Sequence, residues 1–141
     1  MTRFLLDTNI PSEIMRRMPD ARVSAWLRMQ PKESQFLSVV TIGEIRKGAV
    51  ILPPSPKRTQ IEQSLEVLIP SWFAGRILPM TQAIADHWGV LEGQRQLAGR
   101  PLNVPDGMIA ATALEHGLTI VTRNVKDFAD LGVMLLNPWE L

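Results

Sequence analysis

The sequence predicts an α/β domain with a central, mainly parallel sheet, and three observations carry that expectation. Short apolar runs at Phe4-Leu5-Leu6, Gln35 to Val40 and Leu118 to Thr122 have the length and the aromatic or β-branched content of strands buried on both faces. Longer segments of helical periodicity alternate with them, the pattern of right-handed crossovers over a parallel sheet. Polar residues follow the strands directly, with Asp7-Thr8-Asn9 after the first and Arg123-Asn124 beyond Thr122. In open α/β sheets ligands bind at the carboxyl ends of the strands, so these side chains are placed where chemistry is done.

The elements follow in order. After strand one, Pro11 and Ser12 to Arg17 read as a short helix with proline in its first turn, closed by Pro19. Ala21 to Met29 carries Val23, Trp26 and Leu27 at helical spacing and is ended by Pro31. Gln35 to Val40 is the second strand, and Thr41-Ile42-Gly43-Glu44 opens a helix that the prolines between Leu52 and Pro56 break. Pro54 to Arg58 is expected to be a mobile exposed loop, and Lys57 to Phe73 a long helix with Ile61, Leu65 and Leu68 on one face. Ile77 to Met80 is a third strand, and Thr81 caps a helix running to about Ala98 with Ile84, Trp88 and Leu91 inward. Asn103 to Asp106 opens a helix that Gly117 ends, Leu118 to Thr122 is the next strand, and Val133 to Leu136 the last.

At 141 residues the chain suits one domain, residues 1–141, with enough length for a real core. The absence of cysteine fits a reducing compartment and leaves carboxylate and histidine as metal ligands. The first strand begins almost at once, with no apolar leader and cleavage site before it, and no run approaches the roughly 20 residues needed to span a bilayer, so a soluble cytoplasmic protein without membrane contact is expected. The net charge of +1 does not announce a nucleic-acid binder. If Asp7, Glu44, Asp106 and Asp127 gathered around a cation, 15 basic groups would face 10 acidic ones elsewhere, a balance of +5 (15 − 10) able to hold phosphates.

Each acid has a structural alternative. Asp7 can simply end a strand by bonding the backbone ahead of it. Thr41 and Glu44 have capping-box spacing, in which Glu44 folds back on the Thr41 N–H; otherwise Glu44, in a helix leaving strand two, stands beside Asp7 if the two strands are parallel neighbours. Asp106 can complement a helix dipole. It shares a helical face with Ile109, Ala110 and Ala113, however, and a carboxylate on a buried stripe needs a cation or a hydrogen-bonded partner. Carboxylates gathered at one edge repel, and a divalent cation is the ordinary remedy. Oxygen ligands favour Mg²⁺ or Mn²⁺ over zinc, and such ions activate water and hold a scissile phosphate, so phosphodiester hydrolysis is the leading chemistry. His87 and His116 lie on helices away from these strand ends and read as ordinary surface or core residues.

Taken together these segments resemble the PIN-domain ribonucleases, and among them the VapC-like toxins of type II toxin–antitoxin pairs. Leu5-Leu6-Asp7-Thr8-Asn9 is similar to the family's first acidic motif, Ser38 to Ile45 to the second, and Asp106 with Ile109 to Ala113 to the third. Val121 to Phe128 and the terminal Asn137-Pro138-Trp139 resemble the closing motif. The resemblance implies a PIN-like three-layer α/β/α sandwich and a Mg²⁺- or Mn²⁺-dependent endoribonuclease that acts on RNA. It implies Asp7, Glu44 and Asp106 as metal ligands and catalytic residues, with Asp127 completing the catalytic set. Thr8, Asn9, Thr122 and Asn124 would support them. A homodimer, inhibition by a cognate VapB-like antitoxin, and a heterotetramer or larger complex with it are also implied. Many relatives carry Asp where this chain has Asn124, so either Asn124 or Asp127 completes the acidic site. Arg46, Arg100, Arg123 and Lys126 flank the acidic motifs and are the candidate phosphate contacts, each with a solvated surface charge as its alternative. The other functional class to weigh is a PIN-like module that binds RNA or an antitoxin without cleavage.

Overall fold

The computed structural model describes residues 1–141. Five strands, β1 (Phe4–Leu6), β2 (Gln35–Ser38), β3 (Ile77–Leu78), β4 (Thr119–Val121) and β5 (Leu135–Leu136), form one sheet in the order β3-β2-β1-β4-β5. All four pairings are parallel. β1 lies at the centre, its Leu5 opposite Phe36 on one side and Ile120 on the other. The chain passes from β1 outward to β2 and β3, then returns to place β4 on the opposite flank, so the crevice at the carboxyl end of β1 is a topological switch point.

Two cores cover the two faces, which makes the three layers of an α/β/α sandwich. The helices are α1 (Asn9–Ile14), α2 (Ala21–Met29), α3 (Val39–Ile51), α4 (Pro56–Gln63), α5 (Ile69–Trp72), α6 (Gln82–Leu97) and α7 (Val104–His116). Phe4, Leu6, Leu37 and Val121 point into a layer closed by Ile10, Trp26, Ile45, Ile69 and Phe73, whereas Leu5 and Ile120 point into one closed by Ile84, Leu91, Ile109 and Ala113. The alternation of Phe4, Leu5 and Leu6 between layers is the period-two rule of a strand buried on both sides.

Several boundaries differ from the sequence reading for identifiable reasons. α1 starts two residues early, at Asn9, with Pro11 still inside its first turn, and stops at Ile14. The second strand ends at Ser38, because the Ser38 hydroxyl accepts from the Val40 N–H at 3.0 Å and starts α3 there despite the β-branched Val39-Val40. Thr41 is therefore a buried third helical residue rather than a cap, and no capping box with Glu44 exists. The segment Pro54 to Arg58 is not a loop throughout: Ser55 caps α4 by accepting from the Arg58 N–H, and the Arg58 guanidinium donates to the Leu52 carbonyl at 3.0 Å. Between α4 and α5 the helix widens into a π turn at Ser64–Leu68 just ahead of Pro70, whose ring would meet the carbonyl four residues back in a regular helix. This carries the apolar stripe through Leu65, Ile69 and Phe73 and turns Leu68 outward, 64% exposed, contrary to its expected place inside.

Candidate active site

Every acidic motif reaches the carboxyl edge of the sheet. Asp7 extends β1 by one residue, its N–H donating to the Val121 carbonyl at 2.9 Å, and its side chain is 5% exposed. One carboxylate oxygen accepts from the Thr8 N–H at 2.8 Å, and the other from the Thr122 hydroxyl at 2.8 Å and more weakly from the Asn9 amide at 3.5 Å. Asn9 also donates to the Thr122 oxygen at 3.2 Å, which accepts a further bond from the Asn124 N–H at 3.0 Å. Thr8, Asn9 and Thr122 thus fix one rotamer of Asp7.

Glu44 projects from α3 toward the same place, because β1 and β2 are parallel neighbours and α3 leaves the end of β2. Its Oε1 accepts from the Thr8 hydroxyl at 2.5 Å, and Thr8 lies 3.2 Å from the Thr41 hydroxyl, so one threonine links the first two acidic motifs. Asp106 sits in the first turn of α7, where the capping work is done by Asn103, whose Oδ1 accepts from the Asp106 N–H at 3.4 Å. The half-buried Asp106 carboxylate takes part in no ion pair, and the side chains of Asp127 and Asn124 are exposed beside the 3₁₀ turn Val125–Phe128, with no cap bond from Asn124.

The electrostatics bind the four acids into one group. Burial raises the Asp7 carboxyl above its ordinary range, the bonds from Thr122 and Thr8 oppose the rise, and the charges of Glu44 and Asp127 add to it. Asp106 is pushed up to about 6, first by burial and then by Asp7, Asp127 and Glu44. No lysine or arginine pairs with any of the four, since the chain's ion pairs use Glu13, Asp20, Glu62, Glu115 and Asp130 instead. No three of these side chains close into a ready-made metal cage. An open, all-oxygen, negatively charged set without a basic partner suits a small divalent cation that keeps much of its water and takes one or two carboxylates directly.

The four basic candidates divide. Arg46 and Lys126 are exposed, Arg100 pairs with Asp130 at 3.5 Å, and Arg123 lies over the Trp139 ring. His87 faces Glu115 at 2.9 Å on the α6–α7 surface, away from the acids, as a surface histidine would.

Other features had no warning in the sequence. Glu13 is buried and accepts from the Asp20 N–H at 2.9 Å, tying α1 to the start of α2. Gly107, next to Asp106, is where Trp88 of α6 meets α7: a Cβ there would stand 2.9 Å from Trp88 Cδ1 and 3.1 Å from Leu102 Cδ2. Gly107→Ala is therefore expected to lose about 1–3 kcal/mol through overpacking, instead of the usual gain of about 1 kcal/mol for this change inside a helix. Melting curves of Gly107→Ala with and without Trp88→Leu check this, and a stabilised single variant would contradict it. A groove of about 380 Å³ opens on the α1–α2–α5 side, lined chiefly by Ile10, Ile14, Leu27, Leu68, Trp72 and Phe73.

An all-parallel sheet that brings four acids together at its switch point is the architecture of a particular domain family, and the PIN domain matches residues 4–133 of the chain. The chain belongs to the PIN-domain family. Within it the chain is similar to Toxin FitB of Neisseria gonorrhoeae, 38% identical over 136 residues that cover 96% of this chain and 98% of that protein. It is also similar to the tRNA(fMet)-specific endonuclease VapC of Shigella flexneri, 32% identical over 142 residues covering 99% and 100%. The crystal structure of FitAcB from Neisseria gonorrhoeae superposes with a TM-score of 0.89 at 38% identity, over 98% of this chain and 99% of that one. The relatives place the chain among the VapC-like toxins.

Proposed function

We propose that the chain is a metal-dependent endoribonuclease toxin of a toxin–antitoxin pair, hydrolysing RNA phosphodiester bonds in the cytoplasm and held inactive by a cognate VapB-like antitoxin. The observation that carries this reading is the group of four acids at one sheet edge without a basic partner, in which burial and the neighbouring charges raise the carboxyls of Asp7 and Asp106. Relatives named as VapC ribonucleases and a tRNA(fMet)-specific endonuclease support it.

In this reading Asp7, Glu44 and Asp106 hold Mg²⁺ or Mn²⁺, and Asp127 adds its charge from the 3₁₀ turn while Asn124 stands in the place of a fourth acid. When bound, the ion lowers the pKa of water and neutralises charge on the phosphate being cut. Thr122 and Asn9 keep Asp7 aimed into the crevice, and Thr8 does the same for Glu44. Arg46, Arg100, Arg123 and Lys126 hold flanking phosphates. The apolar groove is the antitoxin's seat: Ile14, Leu68 and Trp72 are 40%, 64% and 48% exposed along it, and neighbouring solved structures are toxin–antitoxin complexes. A homodimer that builds a heterotetramer or larger complex with the antitoxin completes the reading.

Purified protein is expected to cut RNA in Mg²⁺ or Mn²⁺ and to stop in EDTA, with weak metal binding by calorimetry. Protein that binds RNA in both conditions and cuts it in neither would instead be a binding module.

A further inference from the structure

Arg123 is held at three points. Its N–H donates to Asn9 Oδ1 at 3.4 Å, its carbonyl accepts from the Asn137 amide at 3.5 Å, and its guanidinium carbon stands 5.3 Å from the centre of the Trp139 ring. Trp139 is itself fixed, 6% exposed and packed in the layer that contains Phe4, Trp26 and Val121, with its N–H donating to Asn137 Oδ1 at 2.9 Å. The guanidinium enters no ion pair, whereas that of Arg100 is engaged by Asp130.

The chemistry of that arrangement is specific. A guanidinium held over an aromatic ring by cation–π attraction spends none of its N–H donors on an acceptor, and they stay available for a fork-shaped pair of bonds to phosphate. The attachment also removes much of the rotamer freedom that an exposed arginine would otherwise lose on binding. Its location matters equally, because Arg123 directly follows Thr122, the residue that bonds Asp7. A phosphate gripped by Arg123 is held in fixed register with the acidic edge.

We propose that Arg123 is the phosphate clamp that registers an RNA strand against the four acids, and that Trp139 is its positioning residue. The inference rests on the ribonuclease reading above and assigns Trp139 a part in substrate placement beyond filling the core. Arg46 and Lys126, which lack such a support, contribute charge without register.

The test uses full-length protein carrying Asp106→Asn, to suppress turnover, and bulk bacterial transfer RNA as the probe, with binding measured across a range of salt concentrations in Mg²⁺. Adding Arg123→Ala is expected to weaken binding by about tenfold and to lower the salt slope by about one. Arg123→Lys keeps the charge but loses the fork and the flat face, and should weaken binding several-fold. Trp139→Leu keeps the Arg123 charge and should weaken binding several-fold with the salt slope unchanged, Trp139→Phe should restore most of the parental affinity, and Arg123→Ala combined with Trp139→Leu should be no weaker than Arg123→Ala alone. Effects that add in the double variant, or an Arg123→Lys variant that binds like the parent, overturn the proposal. If Trp139→Leu does not fold, the Arg123→Lys and Trp139→Phe variants still decide it. Protein with Asp106 intact is assayed alongside. If it cuts RNA while all Arg123 variants bind normally, only the clamp is lost; if it neither binds nor cuts RNA, the ribonuclease reading falls as well.

Discussion

Asp106→Asn is expected to reduce RNA cleavage by at least about a hundredfold, since a bound divalent ion supplies several kcal/mol to the transition state, and to leave the protein as stable as the parent or more so. The sign of the stability change follows from the raised Asp106 carboxyl, ordinarily at 3.8 and here at about 6. A group raised in the folded state contributes stability that is fully present below its unfolded value and is lost as the pH rises through its folded one. Parent and variant should therefore melt alike below pH 3.8 and diverge as the pH rises through about 6, with the variant the more stable. The same carboxyl must lose its proton to take a metal, so Mn²⁺ binding to the parent should release protons near pH 6 and few at pH 8. If Asp106 were only a dipole partner, the variant would instead lose roughly 0.3–1 kcal/mol and keep its cleavage rate. That combination would remove Asp106 from the active site.

Leu68→Glu should separate the two activities in the opposite sense. Leu68 lies on the wall of the apolar groove and is largely exposed, so the change costs the isolated fold little. In a complex seated on that groove it buries an unpaired carboxylate, a cost of several kcal/mol, and antitoxin affinity should fall about a hundredfold or more. None of the four acids lines the groove, so cleavage should persist. Co-expression with the antitoxin then fails to rescue growth, and pull-down of the antitoxin is lost. A Leu68→Glu protein that its antitoxin still neutralises would place the seat elsewhere.

The part of this molecule legible in the sequence is the part governed by local rules. Apolar runs ending in Asp7 and Thr122 announced strands and their carboxyl edge, Asn103 and Gly117 bracketed α7 as cap and left-handed terminator, and α2 fell within its expected bounds. The errors came where two local signals competed. Val39 and Val40 favour a strand, yet the Ser38 hydroxyl captures the backbone first and moves the start of α3, which in turn removes the capping role offered for Glu44. The apolar spacing of Ile61, Leu65 and Leu68 runs on regardless of Pro70, so the π turn ahead of that proline, the outward swing of Leu68 and the wall of the groove have no trace in the periodicity. The contacts of Trp88 with Gly107 and of Arg123 with Trp139 join separate elements and have no signature in residue spacing.

The position of β1 has a consequence for synthesis. The strand is made long before β4, with which it pairs on one side, and the hydroxyl that aims Asp7 belongs to Thr122, 115 residues later. Contacts of such long range form late, because the chain between them must first be closed into a loop. A nascent chain that has reached Leu97 contains β1, β2 and β3 but lacks Asp106, Thr122 and half of the central pairing. The acidic edge therefore cannot assemble before Thr122 has been made and has docked, and in the proposed ribonuclease reading the chain gains its activity only then.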